Sequence, residues 1–95
     1  MAKSDKPLVI DGVKVGLAAE DFDDFEVTEC LADIVDDSVE PSAKIAATVR
    51  IYRILFGADF ERVKRDLRAN HGGKLTNEVM AGFLNSCMAA VQVKN

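Results

Sequence analysis

Ten carboxylates fall between Glu20 and Glu40 with no base among them. That density could serve acid–base catalysis or hold a calcium ion. An EF-hand loop needs oxygen ligands at fixed spacing, a glycine at its turn and a closing glutamate. Asp21, Asp23 and Asp24 lack that glycine and stand just before a helix start. There they read as capping and solvated acids, matched to open backbone N–H groups and the helix dipole, or as an electrostatic docking face. Gly72-Gly73-Lys74 lacks the longer glycine cradle of a phosphate loop and is followed by Leu75, so it reads as the end of a helix. Cys30 and Cys87 have no metal-like spacing and sit on apolar helical stripes, where a thiol packs as a small hydrophobe. His71 has no serine or cysteine nucleophile near it in sequence. No catalytic residue, no metal site and no cofactor is expected.

The remaining charged set is basic: Arg50, Arg53, Arg62, Lys64, Arg65, Arg68 and Lys74. On helices, these residues could face nucleic acid. The chain as a whole opposes this, with a net charge of −4 and a pI of about 4.9. The charge is unevenly spread. Residues 1–48 hold four lysines against twelve acids, a balance of −8; residues 49–95 hold eight bases against four acids, a balance of +4. Such asymmetry can mark a nucleic-acid surface, an acidic tail or self-association.

With 95 residues, 48% of them apolar, one small domain spanning 1–95 is expected. A chain of this size buries about 60–65% of its unfolded surface and has little to spare for a deep cleft. No apolar run approaches the roughly 20 residues of a membrane span. Met1 to Pro7 lacks the apolar stretch of a signal peptide, so a cytoplasmic protein is expected.

The elements that must position these residues are readable from caps and periodicity. Leu8-Val9-Ile10-Asp11-Gly12-Val13-Lys14-Val15 places Asp-Gly between two β-branched runs, which predicts a hairpin over 8–15. A helical body over 23–92 follows, with residues 1–6 and 93–95 expected to be flexible. Asp23 is the expected cap of a first helix, with Glu26 as its capping-box acid and Phe22 and Val27 as a hydrophobic staple. Val27, Cys30, Leu31 and Ile34 form one apolar face of that helix. Phe25, Thr28, Ala32 and Val35 form a second, so the helix is either sandwiched or meets a partner.

Ser38 is the expected cap of a second helix, with Pro41 in its first turn. Ile45, Val49, Tyr52, Leu55 and Phe56 make the main stripe, widened by Ile51 and Ile54, and Gly57 ends it. A third helix, about 59 to 70, carries the stripe Phe60, Val63 and Leu67. Thr76 caps a fourth, with Leu75 and Met80 as staple and Met80, Phe83, Leu84, Cys87, Met88 and Val91 as its stripe. The expected fold is mainly α, a small four-helix domain with a short N-terminal β-hairpin.

Asp37-Ser38-Val39 resembles the Asp-Ser-Leu site at which small acidic four-helix carrier proteins attach phosphopantetheine. Carrier proteins present acids on the helix that follows, whereas this one offers Lys44, Arg50 and Arg53, so Ser38 reads as a simple cap.

The order of parts carries a broader likeness. A short strand segment with a turn precedes an acid-rich helix opening Asp23-Asp24-Phe25-Glu26-Val27 and continuing Leu31-Ala32-Asp33-Ile34. A Pro-started helix then ends in Tyr52-Arg53-Ile54-Leu55-Phe56-Gly57. Phe60-Glu61-Arg62-Val63, Asp66-Leu67-Arg68, a glycine turn and a capped last helix complete it. Over about residues 8–91 this resembles the tail assembly chaperones of long-tailed bacteriophages, particularly those of actinobacteria and related Gram-positive hosts. The resemblance implies a non-enzymatic protein of the host cytoplasm. It would bind the apolar, helical tape-measure protein, keep it soluble while the tail tube polymerises, and be absent from the mature virion. It also implies homo-oligomers and a longer form made by ribosomal frameshifting. The residues expected to meet partners or other copies are Phe25, Ala32, Val35, Ile51 and Ile54, with Arg50, Arg53, Arg62, Arg65 and Arg68. The alternative is a small helical nucleic-acid-binding regulator using Arg62, Arg65 and Arg68.

Overall fold

The backbone of residues 8–92 is described by a computed structural model, and the expectations for residues 1–6 and 93–95 lie outside it. Asp11 and Gly12 both have positive φ, 54° and 77°, as a two-residue type I′ turn requires. They join β1 (Leu8–Ile10) to β2 (Val13–Val15), paired antiparallel with Ile10 opposite Val13 and Leu8 opposite Val15. That register puts Leu8, Ile10, Val13 and Val15 on one face and Val9 and Lys14 on the other. The first face packs into the core, and Val9 is exposed.

Four α-helices follow: α1 (Phe25–Val35), α2 (Pro41–Phe56), α3 (Phe60–Asn70) and α4 (Asn77–Gln92). Mainly α with a short N-terminal hairpin is therefore the fold. Short 3₁₀ turns at Ala19–Phe22 and Gly57–Asp59 add to the expected elements. The first of them moves a cap. The Asp21 carboxylate accepts the Ala18 N–H at 2.9 Å. The Asp23 N–H bonds back to the Glu20 carbonyl at 3.1 Å, which draws Asp23 into the turn. Asp24 caps α1 instead, its Oδ1 accepting the N–H groups of Glu26 at 2.8 Å and Val27 at 3.2 Å. A cap of this kind stabilises a helix by about 1 kcal/mol.

The cap of α2 also differs from expectation. Glu40 stands at the boundary without a side-chain bond, and Pro41 begins the helix. Ser38 turns back to Asp36, donating both its N–H and its hydroxyl to Oδ1 at 2.9 and 2.7 Å. These bonds, the side-chain one foremost, lower the Asp36 pKa. At α4, Thr76 caps as expected, its Oγ1 accepting the Val79 N–H at 3.1 Å.

One contiguous core joins the hairpin to all four helices. Tyr52 sits at its centre, with its ring 5.4 Å from Phe60, 6.0 Å from Phe56 and 6.2 Å from Phe83. Its hydroxyl donates to the Met80 carbonyl of α4, so the one polar atom of this aromatic cluster is satisfied. Burial, the main cause, pushes the Tyr52 phenol far above its ordinary range. It also pushes the Cys87 thiol up to about 12. Both cysteines are buried free thiols.

Candidate functional site

α2 is the axis around which the candidate surfaces lie. Its residues 45, 48, 49 and 52 share one side, and residues 47, 50 and 54 share the opposite side, at 100° per residue. α1 packs closely along α2 after the five-residue link 36–40, a connection that brings two helices back antiparallel. The inner face of α1 is the one read from sequence. Val27 and Cys30 are buried, and Leu31 and Ile34 are half-buried against the core.

The second face of α1 is open. Phe25 is 76% exposed, Val35 77% exposed, and Ala32 lies exposed between them. Among the described residues the sandwiched alternative is thereby excluded. Glu26, Glu29 and Asp33 stand exposed on the same helix. No ion pair joins α1 to a basic helix among the described residues. Arg50 lies across from it, lining an open depression of about 290 Å³ with Glu29, Ala32 and Asp33.

Ile51 corrects the sequence reading. It is 0% exposed and belongs to the core, so it cannot meet a partner. Ile54 is half-buried and packed on the core. The surplus apolar side of α2 is the other one. Ile45 is 42% exposed and, with Val49, lines a groove of about 260 Å³ beside the starts of α3 and α4. Tyr52 and Phe60 also line it, as do Leu75 and Met80. Lys44, Arg53 and Lys64 contribute cations. Lys64 is held by Glu61 at 2.8 Å and lies 4.6 Å from the centroid of the Phe60 ring. That ion pair, chiefly its hydrogen bond, lowers the Glu61 pKa. The sequence did carry a signal for the groove: the α2 stripe, widened by Ile51 and Ile54, covers more of the helix than one packed face needs.

Comparison with protein-family models, curated proteins and solved structures finds no match to this chain. Function must therefore be read from these surfaces.

The arginines divide. Arg65 and Arg68 are exposed on α3, and Arg50 and Arg53 are exposed on α2. Arg62 is engaged. Its Nε and Nη2 donate to Asp59 at 3.0 and 2.7 Å, and its Nη1 donates to Asp66 at 3.0 Å. The Asp59 bond is the main cause of the raised Arg62 pKa and the lowered Asp59 pKa. Nη2 also donates to the Lys14 carbonyl at 2.8 Å. With its charge balanced by Asp59 and Asp66 and its guanidinium bound to the hairpin, Arg62 is a poor phosphate ligand, which weakens the nucleic-acid alternative. The hairpin tip is held as well. Asn70 Nδ2 donates to the Asp11 carbonyl at 3.1 Å, and His71 Nε2 lies 2.7 Å from Asp11 Oδ2.

No helix among the described residues is long and apolar enough to cross a membrane.

Proposed function

We propose that this protein is a tail assembly chaperone of a long-tailed bacteriophage. It binds the tape-measure protein and keeps it soluble in the host cytoplasm during tube assembly, without itself entering the mature virion. The open second face of α1 carries this reading. Phe25 and Val35 are each three-quarters exposed on a helix whose other face is already buried. Burying each such side chain against an apolar client is worth about 1.5–3 kcal/mol. The acids beside them keep the face soluble while it is uncovered. The role is one of binding and release, without catalysis. A longer frameshifted form would present the same face on an extended chain.

Co-expression with the tape-measure gene of the same phage tests the proposal. The client is expected in the soluble fraction, co-purifying with the wild-type protein. A Phe25→Ser/Val35→Ser variant is expected to lose it. A client that stays insoluble with the wild-type protein, or soluble with the variant, refutes the assignment.

A further inference from the structure

The groove on α2 and the start of α1 are complementary in chemistry, apolar lining with cations against an apolar side chain with acids. The groove's volume of about 260 Å³ lies just below the roughly 300–1,000 Å³ usual for small-molecule sites and suits one or two large side chains. Its floor is aromatic and aliphatic, from Tyr52, Phe60 and Met80, and Lys44 and Arg53 stand at its edge. An occupant should therefore offer one large apolar anchor flanked by carboxylates.

The chain itself carries such a segment. Phe25 projects from the first turn of α1 with Asp23, Asp24 and Glu26 around it, all exposed. It does not fill its own groove, whose lining excludes it. The antiparallel run of α1 and α2 places Phe25 towards the C-terminal end of α2. The groove is lined by α2 from Lys44 to Arg53, with Ile45, Thr48, Val49 and Tyr52 on the side turned away from Arg50 and Ile54. Donor and acceptor are thus separate surfaces of one copy, and Phe25 is absent from the lining of its own groove.

We propose that the groove receives Phe25 and the acidic start of α1 from a second copy of this chain. The contact joins two different surfaces, so copies associate head to tail and grow into rings or filaments according to the rotation between them. Its chemistry needs no client, and it deepens the chaperone reading, which implies homo-oligomers, by naming the two surfaces that join them. It gives the open face of α1 an occupant when no client is present.

Sedimentation of two variants and their mixture tests this. Phe25→Ala removes the donor and leaves the groove. Lys44→Glu/Arg53→Glu reverses the groove's edge and leaves the donor. Both change exposed or half-exposed side chains, and circular dichroism checks that each is folded. Wild-type protein is expected to grow with concentration at low salt and to shrink towards about 1 M salt, where charges more than about 3 Å apart are screened. Phe25→Ala is expected to weaken association by about 10- to 150-fold, the worth of burying one phenylalanine. Each variant alone is expected to be monomeric. Their equimolar mixture is expected to stop at a dimer, because only one working donor and one working groove meet. A monomeric wild type at low salt overturns the proposal, as do variants that assemble like the wild type or a mixture that stays monomeric. Tape-measure solubilisation by Lys44→Glu/Arg53→Glu, which keeps the α1 face, reports separately on the chaperone role.

Discussion

Replacing Gly12 with alanine should destabilise the protein through two separable effects, and the structure gives a size for each. Gly12 has φ +77°, a conformation that costs an L-residue about 1–2 kcal/mol. A Cβ there would also stand 2.7 Å from Asn70 Nδ2, too close to coexist. Asn70 must then swing away and give up its bond to the Asp11 carbonyl, worth about 0.5–1.5 kcal/mol. Gly12→Ala should therefore cost about 2–3 kcal/mol and lower the midpoint of thermal unfolding by about 10–20 °C. A double-mutant cycle with Asn70→Ala separates the parts. In the Asn70→Ala background the collision is gone and only the backbone cost remains, so Gly12→Ala should cost about 1 kcal/mol less. The assay is urea or thermal unfolding of all four proteins by circular dichroism. Equal costs in the two backgrounds, within the roughly 0.3–0.5 kcal/mol of ordinary additivity, would refute the placement of Asn70 against the hairpin turn.

Two further predictions follow from the core. The raised Tyr52 and Cys87 pKa values mean that both groups stabilise the fold only while neutral. Their contribution is complete below pH 9 and is lost as pH rises, by about 1.4 kcal/mol per pH unit for each titrating group. Urea midpoints should fall steadily above pH 9, less steeply in Cys87→Ala; a flat profile from pH 8 to 11 would contradict this. Ile51→Ala should cost about 2–5 kcal/mol as a core truncation, and Ile45→Ala, on the half-open groove, less than about 1 kcal/mol. The same unfolding measurements would expose a reversed order.

Much of the fold was legible because short-range chemistry decides it. Asp11-Gly12, Pro41, Gly57 and Thr76 mark their turns and boundaries by local geometry, and each stands where it was expected. The misplaced caps have equally local reasons. Asp23 and Asp24 offer the same carboxylate one residue apart, and the 3₁₀ turn before them decides between them. Ser38 lies two residues ahead of the α2 boundary at Glu40 and is tied back to Asp36. The surfaces were harder to read because they depend on tertiary packing. α2 is apolar on two sides, and its periodicity does not say which side α1 will cover. Covering the Ile51 side left Ile45 and Val49 to line the groove. The face of α1 was easier: Phe25, Ala32 and Val35 are surplus to a helix that already had a complete inner stripe.

Arg62 ties the hairpin to α3, and the place where it does so has a further consequence. In the β1–β2 register, Lys14 lies opposite Val9 outside the hydrogen-bonded Ile10–Val13 pair, so its carbonyl points to the outer edge of β2. An uncovered edge of this kind is a template on which another extended chain can add a strand and begin aggregation. The Arg62 guanidinium occupies that carbonyl and stands in the path of any incoming strand. One side chain thus blocks the outer edge of β2 at Lys14, where an added strand would have to bond.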